Sequence, residues 1–254
     1  MLEVRGITKE YNRRPVVDQV SFTVAPGEVL GYLGPNGSGK STTVRMLTGL
    51  LEPTAGEVRY RGRGIRQDLI AYKQVLGYVP EEQFLYPYLS GREYLQLAAR
   101  LRCLPERPSA EKIDALLQLF SLYEYRFSPI GSYSKGMRQK ILITAALLHN
   151  PQLIIFDEPL SGLDVTAALV FRNLIRSLAA DGKVILYSSH VLEVVEKVAT
   201  RVLILRKGKV VAHDSVGRLR ELLASPSLED VFAQLAVQED AAQIAADIVA
   251  AIRG

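Results

Sequence analysis

VLGYLGPNGSGKSTTVRMLTGLL, from Val29 to Leu51, decides how the rest of the chain is read. Its first five residues are an apolar run of the kind that fills a buried strand. Gly34, Pro35, Asn36, Gly37, Ser38, Gly39, Lys40, Ser41 and Thr42 then follow the spacing of a phosphate loop: glycine, four residues, then glycine, lysine and serine or threonine. The following TTVRMLTGL reads as a helix with Val44, Leu47 and Leu51 on one face. Glycines let successive backbone N–H groups face phosphate oxygens without obstruction, and the helix offers the same anion its positive end. On this reading Lys40 neutralises β and γ charge, and the Ser41 hydroxyl ligates a magnesium ion bridging the phosphates. A glycine-rich turn matching the pattern by chance is the alternative; the strand before it and the helix after it argue against that.

A second chemical stretch lies downstream. LIIFDEP, Leu153 to Pro159, is four apolar residues suited to a central strand, then two carboxylates at its C-terminal end. Open α/β sheets bind ligands at that end. Asp157 is placed to hold magnesium through its water shell, and Glu158 to polarise the water attacking a γ-phosphate. A strand that merely stops at a charged turn would look the same in isolation.

Between and around these stretches the chain alternates in character. Before the loop, Val20, Phe22 and Val24 alternate with Ser21 and Thr23, the period of a half-buried antiparallel strand. From about 85 to 148, REYLQLAARLR, AEKIDALLQLF and MRQKILITAALL recur at helical spacing with Pro105, Pro108 and Pro129 as breakers, which reads as a helical lobe inserted in an α/β lobe. After Pro151, strands and helices alternate again, for which parallel pairing is expected; RKGK, Arg206 to Lys209, reads as a charged hairpin tip. VGRLRELL, SLEDVFAQLAV and AAQIAADIVAAI read as a C-terminal helical extension over 215–254, a cover on the core being preferred to a dimer contact or a regulatory patch, and the main domain is placed at 1–214.

The 254 residues are 48% hydrophobic with net charge +4, an ordinary globular composition. Cys103 is the single cysteine, so the disulfide-stapled secreted class is excluded, and a zinc cluster with His149 and His213 has no suitable spacing. No signal-peptide pattern opens the chain, and no run of about 18 apolar residues offers a membrane span. The expected location is cytoplasmic, peripheral to the membrane.

With both stretches in place, the chain from roughly Leu2 to Asp214 resembles the ATP-binding subunits of the ATP-binding cassette (ABC) family. YSKGMRQK, Tyr133 to Lys140, stands where the family writes LSGGQ; SGLD, Ser161 to Asp164, matches its dimer-crossing loop; His190 in YSSH matches its switch histidine. The resemblance implies a mixed sheet core with an antiparallel β subdomain and an inserted helical subdomain. It implies ATP and Mg2+ as cofactors, with Lys40, Glu158 and His190 catalytic, and Tyr11 stacking on adenine beside Val16. Ser134, Lys135, Gly136 and Met137 would face the γ-phosphate of a second subunit, and Asp164 would cross the interface. Lys135 replaces the family's glycine, Met137 its glutamine, and Glu81 in GYVPEEQ its glutamine; a carboxylate at 81 can still reach magnesium, or be a solvated loop charge. Tyr11 also fits an unremarkable surface ring.

Partners implied are a second cassette, identical or not, and a polytopic permease whose coupling helices dock beside the Glu81 segment; no nucleic acid is expected. The signature, Glu81 and the SLEDVF tail resemble the subfamily that exports through a separately encoded membrane protein. The rival class is a soluble ATPase of the family acting on ribosomes or DNA. Such proteins carry two cassettes in one chain or a long inserted coiled coil, and neither is present here.

Overall fold

A computed structural model describes residues 1–236 and Ala251. The chain opens with β1 (Leu2–Tyr11), β2 (Arg14–Val24), β3 (Val29–Leu33), α1 (Lys40–Leu47), β4 (Ala55–Tyr60), β5 (Arg63–Gly64), α2 (Leu69–Val75) and β6 (Leu76–Val79). A helical stretch follows: α3 (Gly91–Leu101), α4 (Glu106–Leu119) and α5 (Lys135–Leu147). The chain then alternates through β7 (Leu153–Asp157), α6 (Val165–Ala180), β8 (Val184–Ser188), α7 (Leu192–Val198), β9 (Arg201–Arg206) and β10 (Lys209–Asp214), and continues with α8 (Val216–Leu222) and α9 (Leu228–Ala236).

Two sheets result. One is antiparallel in the order β2-β1-β4-β5, the other six-stranded in the order β10-β9-β3-β8-β7-β6. In the larger sheet β3, β6, β7, β8 and β9 pair in parallel. Parallel pairing does not extend to the last strand. The β9–β10 pair is antiparallel, because the two-residue turn at Lys207 and Gly208, both at positive φ, leaves no room for a crossover.

Strand alternation explains how the layers stack. Leu153 and Ile155 of β7 face a core made with the antiparallel sheet and α1, while Ile154 and Phe156 face the helices on the other side. Phe156 meets Phe171 of α6 edge-on, with ring centroids 4.9 Å apart. A third core lies in the helical lobe, with Leu95, Ile113, Leu117 and Ile141 fully buried. Leu85 and Phe120 pack against both this core and the helix side of the large sheet, so they stand at the seam between the lobes.

Helix boundaries depart from the periodicity in two places. α1 starts at Lys40, inside the phosphate loop, and stops at Leu47; Gly49, at φ +72°, ends it, and Leu51 packs on the core from outside the helix. Pro108 is no breaker: it sits in the first turn of α4, which the Pro105 cap position opens, where its missing N–H removes no helical bond. α9 buries Leu228 and Val231 against the large sheet's helix side. AAQIAADIVAAI falls on 241–252, outside the described residues except Ala251.

Candidate functional site

β3 delivers the chain to the C-terminal edge of the sheet, where the glycine loop turns it into α1. Gly34 admits no side chain: a Cβ there would lie 2.4 Å from Ser38 Oγ and 2.5 Å from the Leu205 carbonyl. Gly39 has φ +102°, and its Cβ would lie 2.7 Å from the Val16 carbonyl. Only glycine satisfies both the backbone angle and the close approach. Lys40 folds back so that its Nζ donates to the carbonyls of Gly34 and Pro35, which closes the loop into a ring.

α1 opens with no side-chain cap, although α3, α5, α6 and α8 begin with Ser90, Ser134, Asp164 and Ser215 accepting a helix amide. Its leading amides, from Lys40 onward, have no acceptor one turn back within the helix. Such an open helix start is suited to an anion.

One cleft of about 220 Å³ gathers Val16, Asn36, Gly37, Gly39, Lys40, Ser41 and Thr42 with Glu81, Asp157, Glu158 and His190. Gly34, Pro35 and Ser38 lie beneath it in the loop, Ser38 buried. Asp157 is buried at the end of β7, and its carboxyl is pushed up to about 6, chiefly by burial, with the charges of Glu81 and Glu158 adding to it. Burial also draws the Lys40 ammonium below its ordinary value, against the pull of Glu158, Asp157 and Glu81. A cation beside three carboxylates in a half-buried cleft suits a ligand that carries both signs, a polyphosphate with its metal. Among the described residues no three His, Cys, Asp or Glu side chains converge enough to hold a metal alone. Magnesium asks for less: one or two carboxylates, a hydroxyl, water and phosphate oxygens. Ser41, Asp157 and Glu81 offer that set of hard oxygens.

Glu158 follows β7 with φ 48°, a left-handed conformation unusual for a residue with a side chain. Its N–H donates to the Ser188 carbonyl at 3.0 Å. Its carboxylate lies 2.7 Å from His190 Nδ1 and accepts the Ser189 hydroxyl at 3.3 Å. Two elements, the turn after β7 and the turn after β8, thus hold one carboxylate at the mouth of the cleft. Ser188 and Ser189 are absent from the sequence reading: short hydroxyl residues beside a histidine carry no spacing signal.

Other expected residues lie elsewhere. Tyr11, at the tip of the β1–β2 hairpin, is 48% exposed, has Lys9 Nζ 5.5 Å from its ring centroid and does not line the cleft. Ser134, Lys135, Gly136 and Met137 open α5 outside the cleft; Ser134 Oγ accepts the Met137 amide at 3.2 Å. A Cβ on Gly136 would meet the Gly162 carbonyl at 2.6 Å, and one on Gly162 would meet the Lys135 chain at 2.7 Å, so the SGLD loop is packed on the start of α5. Asp164 caps α6, accepting the Ala167 amide at 2.8 Å.

Known proteins resemble this chain in sequence and in fold. The family model described as ABC transporter matches residues 17–161. The chain is 37% identical over 217 residues to the ABC transporter ATP-binding protein NatA of Bacillus subtilis, covering 85% of this chain and 88% of NatA. It is 34% identical over 244 residues to the ABC-type transporter ATP-binding protein EcsA of the same organism, covering 95% and 98%. A solved ATP-binding subunit of an ABC transporter superposes with a TM-score of 0.87 at 33% identity, over 92% of this chain and 99% of that one. The dimeric structure of an ATP-binding cassette in a post-hydrolysis state with ADP and Pi shares the fold, at a TM-score of 0.78 and 24% identity. The chain belongs to the ABC transporter family as one of its ATP-binding, ATP-hydrolysing subunits.

Proposed function

We propose that this chain is the motor of an exporter: two cassettes close over two ATP molecules and drive a separately encoded membrane protein. The observation that carries the chemistry is the convergence of Lys40, Ser41, Asp157, Glu158 and His190 on one cleft. The loop amides and Lys40 bind the β- and γ-phosphates. Glu158, fixed by His190 and Ser189, orients water for in-line attack on the γ-phosphorus and takes up its proton, with ADP leaving as the bond to its oxygen breaks. Magnesium, held through Ser41, Asp157 and Glu81, neutralises charge on the phosphates when bound. His190, 78% exposed at its side chain, holds Glu158 through Nδ1 and turns Nε2 to the rim, where it donates to the γ-phosphate when the ring carries a proton on both nitrogens.

The facing subunit supplies Ser134 and Gly136, and Asp164 belongs to the loop between the two sites. Ser134 is engaged only by a backbone amide, so its hydroxyl hydrogen remains available for an oxyanion. Val16 lines the cleft and would pack against adenine, and Tyr11, outside the cleft at the hairpin tip, would stack on the base only after its ring moves toward it.

The membrane protein docks where the two lobes leave apolar surface. A groove of about 430 Å³ is lined by Leu50, Ile70, Tyr78, Leu101 and Arg102. Leu50, Ile70 and Leu101 are 62%, 76% and 76% exposed. Exposed Phe84, Tyr86 and Tyr88 follow the Glu81 segment. Apolar surface rimmed by polar groups suits a short amphipathic helix from a partner. Among the described residues no helix is long and apolar enough to cross a membrane, so translocation falls to that partner.

The test is phosphate release by the purified chain. Turnover is expected to require magnesium, to stop with EDTA, and to fall about 100-fold or more in Glu158→Gln with ATP binding retained. A Glu158→Gln chain that hydrolyses ATP at the parent rate removes Glu158 from the reaction.

A further inference from the structure

Gln139 is fully buried in α5, on a helix whose other inward residues include Ile141, Leu142 and Ile143. An apolar side chain of the same size fills such a position without needing partners; an amide there has to be bonded at both ends. Gln139 is. Its Nε2 donates to the carbonyl of Pro159, the residue after Glu158, at 2.9 Å. Its Oε1 accepts from Nε2 of Gln83 at 2.7 Å, and the same Gln83 nitrogen donates to the Lys135 carbonyl at 3.1 Å. Because Pro159 and Lys135 present only carbonyl oxygens, the two amides can be oriented in one way: donors of Gln83 toward α5, donors of Gln139 toward Pro159.

The three ends of this chain of bonds are functional places. Gln83 lies between Glu81, at the cleft, and the exposed Phe84, Tyr86 and Tyr88. Lys135 opens α5 beside Gly162 of the SGLD loop. Pro159 directly follows Glu158, which has a left-handed φ of 48°. Leu85, two residues beyond Gln83, packs against both the helical-lobe core and the sheet-side core, so the segment cannot shift without moving the seam between the lobes.

We propose that Gln139 is a positioning residue that couples the 84–88 surface to Glu158 through Gln83 and Pro159. A partner pressing on residues 84–88 displaces Gln83, rotates the Gln139 amide and resets the Glu158 turn; nucleotide closing on Glu158 acts back on the same surface, since coupling between two binding events is reciprocal. The inference rests on the nucleotide-site reading above, and its test separates the two.

Hydrogen–deuterium exchange of the full chain, with and without a non-hydrolysable ATP analogue and magnesium, reads both ends at once. In the parent chain, exchange is expected to slow over 34–42, and over 84–88 by about fivefold or more, the lower end of usual coupling between sites. In Gln83→Ala and Gln139→Met the slowing at 34–42 remains and that at 84–88 is lost, with analogue affinity unchanged. Gln83 is only half-buried, so Gln83→Ala carries the test if Gln139→Met does not fold. No slowing at 34–42 in the parent contradicts the nucleotide site and the coupling together. Slowing at 34–42 without any at 84–88 in the parent, or a response at 84–88 that survives both substitutions, overturns the coupling alone.

Discussion

Asp157 and His149 show how burial sets proton affinity in opposite directions. The Asp157 carboxyl is raised to about 6 by burial, so below that pH a proton competes for the oxygens that magnesium needs. Magnesium affinity of the chain is therefore expected to be flat above pH 7 and to weaken as pH falls through about 6, and a manganese titration followed by its paramagnetic signal at several pH values checks this. His149, whose Nε2 lies 3.0 Å from the Leu76 carbonyl, is lowered from 6.5 to about 4 by burial and by nearby Arg102, with Lys112 a smaller contribution. Between those values His149 binds a proton in the unfolded chain but not in the folded one, so its contribution to stability is fully present above about 6.5 and is lost as pH falls toward 4, while Asp157, raised above its ordinary value, contributes the opposite slope below about 6. Urea unfolding across that window should show the stability of the parent falling relative to that of His149→Gln as pH drops from about 6.5 to 4; parallel curves for the two chains remove His149 from the pH dependence.

At the level of the elements, the start of α5 caps its own helix and, on the proposed function, would also meet the facing subunit's nucleotide, and one substitution separates the two. Ser134 caps its own helix, and removing such a cap costs about 1 kcal/mol. In Ser134→Ala, denaturant unfolding is expected to register only that loss, whereas ATP turnover falls far more because the facing subunit loses its contact; a loss of turnover no greater than the stability change leaves Ser134 as a cap alone. The glycine at 136 belongs to the same packing: with Gly162 O at 2.6 Å from its missing Cβ, Gly136→Ala pushes α5 off the SGLD loop and is expected to destabilise the fold by roughly 1–3 kcal/mol, read by denaturant unfolding. Elements with a strong local rule were legible before the structure. The glycine loop, β7 with its two carboxylates and the helical lobe came from spacing and period, and the cleft does bring Lys40, Ser41, Glu81, Asp157, Glu158 and His190 together. What escaped is set by contact across the chain. Gln139 reads as one more polar residue in a helix until Pro159, twenty residues on, is seen beside it. Pro108 reads as a stop because sequence shows the ring and not its place in the first turn.

For the molecule as a whole, the layers divide labour. The antiparallel sheet and α1 cover one face of the parallel strands, the helices from α5 onward cover the other, and the strand ends between them form the cleft. The start of α5 lies outside the cleft of its own chain, and so does Asp164. On the proposed function, a site that uses them would be completed by a second copy or a related cassette, with ATP favouring the closed pair. The most direct measurement is the mass of Glu158→Gln in solution by light scattering, with saturating MgATP and with MgADP. The account predicts a species of about twice 28.1 kDa with ATP and a single chain with ADP; a single chain under both, with ATP demonstrably bound, would contradict closure over nucleotide as the source of its work.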